Sequence, residues 1–264
     1  MIPIVFLHVP KTAGQTVHNE LVRVVGGAEF TSPVRVTAQA IDGRQMPDGY
    51  RLYSGHIDWI ELPRLPSDRF VFTILRDPRE RIASFYLYMC KLAKEAKQDE
   101  LEDPQNVGKR MALNLSADDY FFGGTEDWHH FVRSMYDNFY CSYFATRKMN
   151  GWSALQALSQ EDRVTKALQG LDSLSAVYSI DNLAQLEMDV ASRYGVSIRV
   201  AGNYFNTGGH HKNEARWPKL CALFEKDQSI ARLEAFAALD QMLLEHVFRH
   251  KASTVVEDIP VIAP

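Results

Sequence analysis

The stretch Ile4-Val5-Phe6-Leu7-His8-Val9-Pro10-Lys11-Thr12-Ala13-Gly14-Gln15-Thr16-Val17 is an apolar run of strand length, then a Pro-Lys-Thr-x-Gly-x-Thr turn, then the start of a helical pattern. A strand that turns directly into a helix N-terminus aims backbone N–H groups and the positive end of the helix dipole at one spot, which favours an anion there. Lys11 adds a full charge, Gly14 lets the backbone come close to a ligand, and the hydroxyls of Thr12 and Thr16 are further donors. The stretch reads as a cradle for phosphate or phosphosulfate. Turns with a Gly and a Lys are common in α/β proteins, so a second motif is needed before the cradle acquires a function.

The 264 residues, 46% of them apolar, suffice for one sizeable core and predict one domain over 1–264, with 252–264 as a loose tail. A net charge of -4 lacks the footprint of a nucleic-acid binder, so no nucleic-acid partner is expected and any anion site is local. Cys90, Cys141 and Cys221 form no C-x-x-C pair and are odd in number, which predicts reduced, mostly buried thiols. The adjacent His129 and His130 do not share a helix face, and no metal is expected. No apolar run reaches membrane-span length and no signal-peptide pattern opens the chain, so the expectation is a cytoplasmic protein without a membrane span.

In chain order, residues 2–8 predict a first strand and 15–25 a helix stopped by Gly26-Gly27. The pattern weakens over 30–49, a long connection with room for one short strand at 34–37, of the kind that often faces a substrate. Residues 51–59 contain a strand ending in Ser54-Gly55, with His56 immediately after it, and 70–75 read as a central parallel strand buried on both faces. Ligands of open parallel sheets sit outside the carboxyl ends of the strands, which brings His56 and the Lys11 loop to the same side. Arg76-Asp77-Pro78 follows the 70–75 strand, and Pro78 opens a helix over 79–97. Ser84 stands eight residues after Arg76, close enough in a helix for both to reach one anion, while Arg79, Lys91, Lys94 and Lys97 read as solvated charge. Residues 105–150 are helical and aromatic-rich, which suggests helices on the sheet with some rings lining an acceptor pocket. A helix over 159–171, a strand over 176–180 and a helix over 182–194, capped by Asp181 and ended by Gly195, come next. The Gly-rich basic stretch 202–213 suits a flap over a nucleotide, and 217–250 a covering helical region.

Pro10 to Thr16 after the first strand, and Arg76-Asp77-Pro78-Arg79-Glu80-Arg81-Ile82-Ala83-Ser84-Phe85-Tyr86 after a later one, resemble the two cofactor motifs of the sulfotransferases that use 3'-phosphoadenosine 5'-phosphosulfate (PAPS). The likeness is to the carbohydrate branch, of the heparan sulfate 2-O and 6-O type, and residues 55–62 look like that branch's catalytic histidine region. The resemblance implies a P-loop-like three-layer α/β fold with a central parallel sheet flanked by helices, and the expected form is a cytoplasmic, bacterial member. It implies that Lys11 and the loop amides of Thr12, Ala13, Gly14, Gln15 and Thr16, with the Thr12 and Thr16 hydroxyls, hold the 5'-phosphosulfate. Arg76 and Ser84 would hold the 3'-phosphate, Lys11 would act in catalysis, and His56 would be the general base, oriented by Asp58 or Glu61. The acceptor would be a hydroxyl of a carbohydrate, glycolipid or small metabolite, with adenosine 3',5'-bisphosphate (PAP) as product. Ala13 stands where the family has Gly, and Gln15 is also less typical. Two other readings share the strand-loop-helix cradle: a P-loop kinase, whose lysine follows the glycines rather than preceding Gly14 as Lys11 does, and a catalytically silent nucleotide-binding protein.

Overall fold

Strands β1 (Ile4–Leu7), β2 (Leu52–Gly55), β3 (Phe70–Leu75) and β4 (Ala176–Ser179) form one parallel sheet in the order β2-β1-β3-β4 in a computed structural model that describes residues 1–40, 42–201 and 215–254. Val5 and Leu7 enter one core with Tyr53, Val71, Leu75 and Val177, while Ile4 and Phe6 enter the opposite one with Leu52, Phe70, Phe72 and Ile74. Both faces are covered, so the central strands β1 and β3 read as nearly continuous apolar runs rather than alternating ones.

Helix α1 (Gly14–Val25) presents Val17, Leu21, Val24 and Val25 to the second face and stops where Gly26 turns left-handed, φ 100°. After β3, Asp77 accepts the Glu80 N–H at 2.9 Å and Pro78 opens α2 (Pro78–Glu95), as that Asp-Pro pair predicts. Helices α3 (Gln98–Glu102), α4 (Val107–Asn114), α5 (Ala117–Phe122), α6 (Glu126–Tyr136) and α7 (Phe139–Thr146) fill the aromatic-rich region. Next come α8 (Gln160–Asp172), then after β4 α9 (Ala184–Tyr194), and α10 (Trp217–Cys221), α11 (Asp227–Ala235) and α12 (Ala238–Thr254). Helices α7, α8 and α12 cover the first sheet face, α1 and α9 the second. The expected three-layer α/β fold is the one observed.

Several local expectations change. The aromatic region does not lie wholly on the sheet: α5 and α6 join α2, α10 and α11 in a third core around Tyr120, Phe121, Trp128 and Tyr136. There the Tyr120 and Tyr136 hydroxyls bond each other at 2.9 Å, and Trp128 Nε1 donates to the Tyr120 carbonyl at 2.7 Å. These rings are buried core with their polar atoms satisfied. Asp181 does not cap α9; Leu183 holds that position, and the Asp181 amide donates to Ser179 Oγ. The region 217–250 is three helices, and the last one continues to Thr254 into the stretch expected as tail. No strand forms at 34–37, but bridges Thr31↔Leu52 and Val36↔His56 lay this segment parallel to β2. Of the thiols, Cys141 is buried, while Cys90 and Cys221 are half-buried. The proposed flap at 202–213 and residues 255–264 lie outside the described residues. Among those described, no helix is long and apolar enough to cross a membrane.

The strand order decides where a ligand can sit. After β1 the chain goes to β2 on one side, then crosses to β3 on the other, so the loops leaving β1 and β3 diverge. A crevice opens between such loops at the carboxyl ends, and here those loops carry Lys11 and Arg76.

Candidate active site

The turn after β1 is strained in a directed way. Lys11 and Ala13 both hold left-handed backbone, φ 73° and 63°, a conformation that costs a non-glycine residue about 1–2 kcal/mol. Left-handed residues in a tight turn point neighbouring amides to one side, and no side chain caps α1 behind Ala13. Gly14 also makes room for a neighbouring ring: a Cβ there would fall inside the His8 imidazole. The Thr12 hydroxyl is also spent internally, donating to the Val9 carbonyl at 2.8 Å, so only its amide remains for a ligand. Thr16 is buried, and exposed Gln15 donates to Asn19 Oδ1 at 2.9 Å.

The Lys11 ammonium lies 3.5 Å from the centre of the Tyr88 ring, on α2. Burial pulls its pKa down to about 8, and the charges of Arg216, Arg76 and Lys91 add to the effect. Cationic side chains thus converge on the crevice around Lys11. Arg76 is held by Glu80, 2.9 Å away, with both side chains largely buried at 15% and 20% exposure. Glu80 also accepts the backbone amides of Arg216 and Trp217, each at 2.8 Å, and so ties the start of α10 to the Arg76 turn. Sequence reasoning missed Glu80, although its i,i+4 spacing from Arg76 was a usable signal. Ser84 is buried on α2. Arg79 is half exposed near Glu234, as expected of solvated charge.

His56 follows β2 directly. Its Nδ1 donates to the His8 carbonyl at 2.7 Å, which leaves the lone pair on Nε2. Neither Asp58 nor Glu61 orients it: Asp58 accepts the Met149 amide at 2.8 Å, and Glu61 the Gln45 amide at 2.7 Å. Because Leu7 is in register with Gly55, the next residues of the two strands, His8 and His56, lie side by side with ring centroids 4.2 Å apart. Burial lowers the pKa of both, and the charges of Arg35 and Lys11 lower them further, while the bond to His8 partly opposes the shift at His56. His18, one turn into α1, bonds Arg35 through Nε2 and Ser54 Oγ through Nδ1 at 3.1 Å. Burial and Arg35 bring its pKa down to about 4. Three neutral imidazoles therefore stand beside the cation group.

A family model described as the sulfotransferase family matches residues 2–168, more than half of the chain. The chain belongs to the sulfotransferase family. No curated protein matches it. A sulfotransferase moves a sulfuryl group to an acceptor, a reaction that asks the protein chiefly for in-line positioning and charge stabilisation. The crevice of this sulfotransferase brings Lys11, Arg76 and His56 to one end of the sheet, as their strand-end positions imply. The sequence reading did not find His8, His18 or Arg35, since only the parallel register and the bridging of 31–36 to β2 unite them.

Proposed function

We propose that this sulfotransferase transfers the sulfuryl group of PAPS to a hydroxyl of a carbohydrate, glycolipid or small metabolite, with His56 as general base. The observation that carries the reading is the convergence of cationic side chains on Lys11 beside an imidazole whose Nδ1 is committed to a backbone carbonyl, which leaves Nε2 to accept a proton. The residues fit the donor: the left-handed turn and α1 N-terminus suit its 5'-phosphosulfate, and Arg76 with Ser84 its 3'-phosphate. When bound, PAPS supplies a sulfuryl group whose sulfur–oxygen bond to the 5'-phosphate breaks as the acceptor oxygen bonds to sulfur. Lys11 would stabilise the charge that grows on the leaving phosphate oxygen, and His56 Nε2 would take the acceptor proton, a contribution of about 10²–10⁴-fold when well aligned. The segment 55–62 supports a carbohydrate acceptor, by its likeness to the heparan sulfate 2-O and 6-O branch.

Calorimetric titration of adenosine 3',5'-bisphosphate into wild type and Arg76→Ala, with 5'-AMP as control, tests the donor assignment. Binding that requires both the 3'-phosphate and Arg76 is expected. Equal binding of the two nucleotides, or none, would remove it.

A further inference from the structure

Arg35 is locked to the candidate base by its backbone. Its carbonyl accepts the His56 amide at 2.8 Å, and it packs on Gly55 so closely that a Cβ there would overlap it. The bridges Thr31↔Leu52 and Val36↔His56 hold the rest of the segment in step with β2. Residue 35 therefore cannot move away from residue 56 without breaking this edge of the sheet.

Its side chain is a cation without an anion. NH1 donates to His18 Nε2, a neutral partner, while Nε is buried with no acceptor. Among the described residues no carboxylate pairs with it, and burial alone brings its pKa down to about 10. Arg81 is the instructive contrast. It too has unpartnered nitrogens, but it is fully buried, feels the Asp240 carboxylate and lies over the Phe139 ring, as a structural arginine does. Arg35 has no such compensation and is only half-buried, so an anion from solution can reach it. A partly desolvated charge facing only dipoles is costly, and an oxyanion that meets the guanidinium recovers that cost through charge-assisted bonds.

Arg35 is also separate from the donor cations. Lys11 feels Arg216, Arg76 and Lys91, whereas His8 and His56 feel both Arg35 and Lys11. We propose that Arg35 orients the acceptor: its guanidinium takes an oxyanion carried by the acceptor, a carboxylate, sulfate or phosphate, and so sets the neighbouring hydroxyl against His56 Nε2. The assignment rests on the proposed sulfuryl transfer and adds that the acceptor is anionic.

The test uses methyl hexoside, its 6-carboxylate and its 6-phosphate as acceptors with saturating PAPS, in wild type, Arg35→Gln and Arg35→Lys. Wild type is expected to favour the charged sugars by about 10- to 100-fold in kcat/KM, chiefly through KM. Arg35→Gln should lose that preference, and Arg35→Lys should keep part of it. In parallel, imidazole NMR signals of His18 and His56 should move with the 6-carboxylate in wild type and not in Arg35→Gln, a readout that needs no turnover. Adenosine 3',5'-bisphosphate should bind wild type and Arg35→Gln alike. Intact bisphosphate binding with no charge preference and no imidazole response would overturn the Arg35 assignment alone. Absence of bisphosphate binding in wild type would instead overturn the donor reading beneath it.

Discussion

His56 is oriented by the main chain of His8: Nδ1 donates to the His8 carbonyl at 2.7 Å while the two rings lie 4.2 Å apart. A backbone acceptor holds the tautomer without adding a negative charge, so the imidazole remains a moderate base under the field of Arg35 and Lys11. His56→Ala is expected to lower kcat by about 10²–10⁴-fold while bisphosphate binding in the calorimeter stays as in wild type. A parallel loss of binding would mean that the residue is structural.

The charge states set opposite limbs of the pH profile. Burial and the nearby cations disfavour the His56 imidazolium, so the acid limb of kcat/KM should lie below the ordinary histidine value of about 6.5. Lys11, brought down to about 8 chiefly by burial, loses its proton above that pH in the free protein. Bisphosphate affinity should therefore fall as pH rises through about 8, and binding above it should take up a proton, seen as a dependence of the calorimetric heat on buffer. Lys11→Arg, which keeps its charge, should flatten that fall.

The turn after β1 invites two substitutions of opposite sign. Ala13→Gly relieves a left-handed alanine and is expected to raise unfolding stability by about 1 kcal/mol in urea, with bisphosphate binding retained. Gly14→Ala drives a methyl into the His8 ring and is expected to cost about 1–3 kcal/mol. Turnover should fall with it, because His8 carries the carbonyl that orients His56. Unchanged turnover in a folded Gly14→Ala protein would separate His8 from the base.

Asp240 is the buried tie between α12 and α7. Its carboxylate accepts the amides of Tyr140 at 2.9 Å and Cys141 at 2.8 Å, and so caps α7 from across the core. Asp240→Ala leaves those amides and Arg81 uncompensated and should cost about 3–5 kcal/mol in chemical denaturation. Burial, opposed by the two amides and Arg81, brings the Asp240 pKa up to about 6. Between about 4 and 6 the folded carboxyl keeps a proton that the unfolded one has lost, so its contribution to stability falls as pH rises through that window. Asp240→Asn should remove this slope from the pH dependence of Tm.

Legibility followed the range of the interactions. Residues 70–75 match β3 because a strand buried on both faces writes itself as an almost wholly apolar run, broken here only by Thr73. Gly26 and Pro78 mark helix ends through their own backbone restrictions, and each acts as its position predicts. The aromatic residues at 120–136 were legible as buried, but nothing in their spacing says that they pack with α2 and α11 rather than on the sheet. Asp58 and Glu61 looked close to His56 along the chain, yet the chain turns both toward loop amides.

By itself, the sequence determined the parallel α/β class, the cradle after β1 and the strand-end places of Lys11, His56 and Arg76, since burial patterns and turn chemistry are local. Only the tertiary structure decided what surrounds them. The register of β1 with β2 brings His8 against His56, the bridging of 31–36 brings Arg35, and the first turn of α1 brings His18. Those neighbours come from segments far apart in the chain, and their shifts in charge arise from shared burial, which no local pattern encodes.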